Sequence, residues 1–207
     1  MIITKRFVRS ISPKLNKNEL FLSLILFDLC NTSECRIGKM SVYKYKNAST
    51  TIRRCISHIK DNLVGKNIIC DKKMVEKFIL FEEIKRNGCN FHIKLNKSLF
   101  YWLKMKTNKI LIDDNLVNKF NGLHPLKMLL LFFGFSCFDG KKHEFSVRFL
   151  KKYLNIENMN TGSFLRQYIN KFVCDINEEG YKITIEKVYH KHDARFLKSI
   201  IFKTEGN

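Results

Sequence analysis

Proline is nearly absent from this 207-residue chain: Pro13 and Pro125 are the only two. Proline-rich linkers and repeated kinks are thereby excluded, and no low-complexity segment separates one part from another. The seven cysteines (Cys30, Cys35, Cys55, Cys70, Cys89, Cys137 and Cys174) are an odd number and form no CxxC pair. Free cysteines of this kind are small hydrophobes of a reducing compartment, so a cytoplasmic protein without a disulfide scaffold is expected. Cys30 and Cys35 lack a second ligand pair at zinc spacing, and no bound metal or other cofactor is expected. A glycine-rich phosphate loop is missing too, which leaves ATP hydrolysis of the P-loop type unsupported. The longest uncharged apolar runs, Leu20–Phe27 and Met128–Phe138, fall short of the roughly 18–20 residues that a membrane span needs.

Acidic residues are scarce as well. Nineteen Asp and Glu face 38 Lys and Arg, for a net charge of +19. Such a field attracts polyanions and makes their binding salt-dependent through counterion release. The same Lys, Asn and Ile richness also follows from AT-rich coding, so charge alone does not decide for nucleic acid. Residues 1–18 hold no acidic side chain but carry Lys5, Arg6, Arg9, Lys14 and Lys17. A flexible basic arm touching phosphate is expected there in preference to a transit peptide.

What is abundant is patterned apolar sequence, with 45% hydrophobic residues and 18 Phe. Its most informative stretch is residues 161–177. There Phe164, Leu165, Tyr168, Ile169, Phe172 and Ile176 recur at the helical period, with Thr161 expected as the N-cap. Arg166, Gln167, Asn170 and Lys171 fall on the opposite face. These are the side chains that reach base edges and phosphates from a helix in a major groove. A basic hairpin pattern follows, Tyr181–Val188 with Phe196–Phe202.

The halves of the chain echo one another. Asn16 and Glu19 suggest a capping box before a helix at 20–30, and a short helix after Ser41 comes next. Ile52, Cys55, Ile56, Ile59 and Leu63 then line a third helix. An Asn87-Gly88 turn between Phe78–Lys85 and Asn90–Leu95 predicts a hairpin. In the second half, Pro125–Phe138, Ser146–Leu154 and residues 161–177 predict three helices before their hairpin. The fold class expected is α+β: two tandem winged-helix domains, residues 1–96 and 123–207, joined by a helical linker with a short strand at 97–122. A single α+β domain is the alternative.

Several segments resemble the theta-type plasmid replication initiators, which bind iterons through two winged helices. They are Leu15-Asn-Lys-Asn-Glu-Leu20, the run from Phe91 to Leu103, Lys109-Ile-Leu-Ile112, the run from His124 to Phe132, Phe172-Val-Cys-Asp-Ile-Asn177 and Ser199-Ile-Ile-Phe-Lys203. The likeness spans roughly residues 15–203 and departs from the family in lacking a Leu-Tyr pair after the linker. It implies binding to repeated double-stranded sites at an origin, a homodimer formed through the first domain, and recruitment of host replication proteins without catalysis.

On this reading Arg166, Gln167 and Asn170 read bases, while Ser163, Lys171 and the free N–H groups near Thr161 take phosphate. Around the second wing, Lys187, His190, Lys191, His192, Arg195 and Lys198 suit the backbone or the minor groove. Thr51, Arg53, Arg54, Ser57 and Lys60 of the first half suit a second groove or a subunit interface. Two other functions fit parts of the pattern. A transcriptional regulator would use the same scaffold. A rolling-circle nickase would hold metal with His190 and His192, which strand alternation places on one face. The Asp113-Asp114 pair suggests a nuclease carboxylate cluster or, more simply, a helix start.

Overall fold

The computed structural model describes residues 109–205 continuously. In the first half it describes residues 2–5, 7–16, 20, 23, 24, 34–38, 67–69, 77–79, 81–87, 90–95, 97 and 100. The chain divides into two compact units, Met1–Leu123 and His124–Asn207.

In the first unit, β1 (Ile2–Thr4) is followed by a π-helical turn, Phe7–Ile11, and a 3-10 turn, Ser12–Lys14. Phe7, Val8 and Leu15 are buried. Thr4 Oγ1 accepts from the Phe7 N–H at 3.2 Å, and Ser12 Oγ donates to the Val8 carbonyl at 2.7 Å. The N-terminal segment is therefore packed structure, and the expected flexible arm is corrected. Its apolar residues outweigh its charge in deciding where it goes.

A three-stranded antiparallel sheet has the order β2-β6-β5, from β2 (Glu34–Gly38), β5 (Phe81–Asn87) and β6 (Asn90–Leu95). Asn87 pairs with Asn90, so it is a strand residue and not the turn residue expected. The run expected as one strand from Phe78 is split: β4 (Lys77–Ile79) pairs instead with β3 (Asn67–Ile69). β7 (Lys109–Leu111) lies in the stretch expected to link the halves, and it pairs antiparallel with β1. Then α1 (Asp114–Lys119) begins at Asp113, whose carboxylate accepts from the Asn115 N–H at 2.8 Å. The acidic pair is a helix start.

α2 (Leu123–Gly134) lies in the second unit from His124 onward. Residues 126–132 are all buried, as expected of a helix apolar on every side. Phe132 is its hub, with ring centroids 5.0 Å from Phe172, 4.9 Å from Phe202 and 5.5 Å from Phe138. β8 (Lys142–Ser146) leads into α3 (Val147–Leu154), where Ser146 Oγ accepts from the Phe149 N–H at 3.1 Å. Asn155 ends α3 in the left-handed region, φ 59°, a conformation that Asn tolerates.

The third helical segment is continuous but not uniform. It runs as α4 (Thr161–Phe164), a π-helical stretch Leu165–Asn170, and α5 (Lys171–Asn177). Gly180, at φ 89°, turns the chain into β9 (Ile183–His190), which pairs with β10 (Asp193–Thr204). The sheet order is β8-β10-β9, all antiparallel. The third strand, β8, was not expected from the sequence. It joins when Ser199 and Ser146 align, with the Ser199 hydroxyl hydrogen-bonded to Glu144.

Candidate nucleic-acid interface

The segment 161–177 is held by one side. Phe164, Ile169, Phe172 and Ile176 are buried against the core, and Leu165 and Tyr168 are half-buried. Arg166, Gln167, Asn170 and Lys171 are all exposed. No ion pair among the described residues engages Arg166, whereas Lys171 Nζ lies 3.2 Å from the Asp175 carboxylate one turn on. An exposed i,i+4 pair is worth only about 0.3–0.5 kcal/mol, so Lys171 can be redirected to an anion at small cost. The π-helical stretch contains Arg166, Gln167 and Asn170. Its i→i+5 bonding widens the turn, a geometry that collects at functional sites.

The start of the segment differs from expectation. The N-cap is Asn160, not Thr161: Asn160 Oδ1 accepts from the Ser163 N–H at 2.7 Å. That N–H is already satisfied, so Ser163 offers an anion its half-buried hydroxyl and not a free amide. Thr161 Oγ1 accepts instead from Lys151 Nζ at 3.3 Å, and the same ammonium donates to the Met159 carbonyl at 2.6 Å. Lys151 thereby ties α3 to the start of the third segment. Tyr168 packs edge-on against His124, with centroids 4.7 Å apart. Burial, with Lys127 nearby, holds the His124 pKa below its ordinary value.

The second surface is the β9–β10 hairpin. Lys187, His190, Lys191, His192, Arg195 and Lys198 are all exposed. Arg195 differs from the rest because Asp193 holds it, through Nε and a terminal nitrogen each 3.0 Å from a carboxylate oxygen. The guanidinium keeps the Asp193 carboxyl below its ordinary range. His190 ends β9, but Lys191 and His192 form the turn beyond it. Strand alternation therefore does not align the two imidazoles, and the nearby carboxylate of Asp193 is engaged by Arg195. Among the described residues, no group of three or more His, Cys, Asp and Glu is placed to hold a metal ion.

Asn177 joins the two surfaces. Its side-chain amide donates to the Ile183 carbonyl at 2.9 Å and accepts from the Ile183 N–H at 2.8 Å. The end of the helical segment is thus fixed to the first residue of β9. Pattern reading missed this residue because Asn at a helix end also reads as a simple C-cap. It also missed the exposed ring of Phe196 on the hairpin, where Tyr189 is exposed as well. Thr51, Arg53, Arg54, Ser57 and Lys60 lie outside the described residues.

No protein-family model matches the chain, and no curated protein sequence does either. Solved structures match. One is described as the crystal structure of Pi initiator protein in complex with iteron DNA. The two chains superpose with a TM-score of 0.72, over 100% of this chain and 97% of the other, at 10% sequence identity. The two proteins share a fold. It is mixed helix and strand, and among the described residues no helix is long and apolar enough to cross a membrane.

Proposed function

We propose that this protein initiates replication by binding repeated double-stranded DNA sites at an origin, sequence-specifically, through two winged helices. The observation that carries the reading is the exposed strip of Arg166, Gln167 and Asn170 on a segment whose other side is buried in the core. A helix so presented has the side chains that form bidentate pairs with guanine and adenine edges, each worth about 1–3 kcal/mol of discrimination. Asn177 sets that strip in fixed relation to a cationic hairpin, which suits phosphate contact beside the groove being read. The fold shared with an initiator crystallised on iteron DNA supports the same ligand.

On this proposal the protein acts in the cytoplasm by binding alone, without catalysis. The first unit contributes dimer formation and further DNA contact, and host replication proteins are recruited to the bound origin. Selection of bound duplexes from a random pool tests the reading. One enriched sequence, present as an array of direct repeats near the gene, supports an initiator, and a lone palindrome indicates a regulator on the same scaffold. Metal-dependent nicking of supercoiled DNA, lost in His190→Ala, would replace the proposal with an enzyme.

A further inference from the structure

The tip of the β9–β10 hairpin exposes two aromatic rings, Tyr189 at 45% and Phe196 at 62%. Simple alternation along β10 does not put Phe196 there, since Ile200 and Phe202 of the same parity are buried. The ladder breaks twice, between Asp193 and Leu197 and between Leu197 and Ser199. Asp193 faces His190 while Leu197 faces the adjacent Tyr189, so residues 194–196 are looped out with no partners opposite. Asp193 shapes this loop. Its carboxylate accepts from the Arg195 backbone N–H at 2.9 Å as well as from the guanidinium. Bulges of this kind re-aim side chains and are designed features of a sheet.

The charge of the same hairpin indicates what Phe196 meets. Lys187, Lys191 and Lys198 are exposed, without an ion pair among the described residues, and His190 and His192 flank them. One apolar ring on a cationic hairpin matches a ligand that is anionic outside and offers stacked apolar faces within. Duplex DNA entered from the minor groove is such a ligand, and Phe is one of the side chains that serve there as wedges between base steps.

We infer that Phe196 is a wedge that enters the minor groove and parts one base step, with Lys191 and Lys198 holding the flanking phosphates. This rests on the DNA-binding reading above and extends it: the hairpin deforms the site as well as touching it. Sequence preference then extends to flexible pyrimidine–purine steps at positions without base-edge contacts.

The test uses the full chain and a duplex that it selects from a random pool, labelled at both ends for energy transfer. Variants of the duplex carry 2-aminopurine at successive adenines. The wild-type complex should bend the duplex by an angle within the range of about 20–90° typical of wedges. It should also raise 2-aminopurine fluorescence at one step alone. Phe196→Leu, which supplies another wedge, should keep both signals. Phe196→Ala at saturating protein should lose both, keeping the preferences set by base-edge contacts and losing the preference for a flexible step. Unchanged bending and fluorescence in Phe196→Ala would overturn the wedge and leave the DNA reading intact. Wild-type protein that enriches no sequence overturns the DNA reading and the wedge with it. Thermal melting of both variants, at an exposed position, controls for folding.

Discussion

Asn177 grips Ile183 by both of its backbone polar groups, one hydrogen bond of 2.9 Å and one of 2.8 Å from a single side-chain amide. Ile183 pairs with Thr204 of β10 in the ladder, and the Asn177 amide adds two further bonds to its backbone. It fixes the end of the helical segment to the hairpin, beside the core contacts that Phe172 and Phe202 share with Phe132. Asn177→Ala removes both bonds and leaves the Ile183 N–H and carbonyl part-buried without them. A loss of about 1–3 kcal/mol in urea unfolding is expected. DNA affinity should fall further than stability, since two surfaces lose their common alignment. Asn177→Asp keeps only the acceptor and should fall between.

Arg166 and Lys191 should behave differently toward DNA although both are exposed cations. Arg166→Ala should cost about 1–3 kcal/mol on the cognate duplex and relax preference at one base position. Lys191→Ala should weaken cognate and random duplexes alike and lower the salt slope by about 1. Binding titrations across a salt series on both duplexes separate the two. Equal effects on both would remove the division between a reading helix and a positioning wing.

How legible was all this? The 3.6-residue period of Phe164, Ile169, Phe172 and Ile176 was sufficient to place the outward strip, because burial of one face is decided by local spacing. The Ser146 cap and the Asp113 helix start were legible for the same reason. Features set by distant partners were not. β8 becomes a strand by pairing with β10 some 55 residues on, with Ser199 and Glu144 in contact. The run from Phe78 splits because β3 claims its first part. The exposure of Phe196 depends on two ladder irregularities that no alternation rule contains. Residues 7–15 carry a positive charge that predicts an exposed arm, but burial of Phe7, Val8 and Leu15 decides their place.

Lys127 is fully buried in α2. Desolvation lowers its pKa from 10.5 to about 8, against the attraction of Glu157. In the unfolded chain the amine keeps its proton up to its ordinary value, so between about pH 8 and 10.5 the unfolded state binds more protons. Stability should therefore rise with pH across that window and lose this contribution as pH falls through about 8. Lys127→Met keeps the length without the charge and should flatten the slope. Melting temperatures measured from pH 7.5 to 10.5 for both proteins check this. A slope unchanged in Lys127→Met would assign it to another group.

The cap of the third segment can be assigned by substitution. Asn160 has extended backbone, φ −63° and ψ 151°, and its Oδ1 accepts from the Ser163 N–H. Asn160→Ala should cost about 0.5–2 kcal/mol, and Asn160→Ser should restore most of it. Thr161→Ala should cost less, because Lys151 keeps the Met159 carbonyl when the hydroxyl is gone. Hydrogen exchange at the Ser163 amide should quicken in the first variant and not in the second. The reverse order would move the cap by one residue.

Gly162 offers a way to separate stability from DNA contact. It is helical and exposed, and an added Cβ would meet Asn160 Oδ1 at 3.6 Å, ordinary van der Waals contact. Gly162→Ala should therefore stabilise the protein by about 0.4–1 kcal/mol, chiefly by restricting the unfolded chain. If the start of the segment lies against the phosphate backbone, the new methyl occupies the space through which a phosphate approaches the helix N-terminus. Affinity for the selected duplex should then fall while the unfolding midpoint rises. A variant that is more stable and binds DNA as tightly as the wild type would place the helix start away from the duplex. The reading strip would then have to enter the groove by its middle, through Gln167 and Asn170.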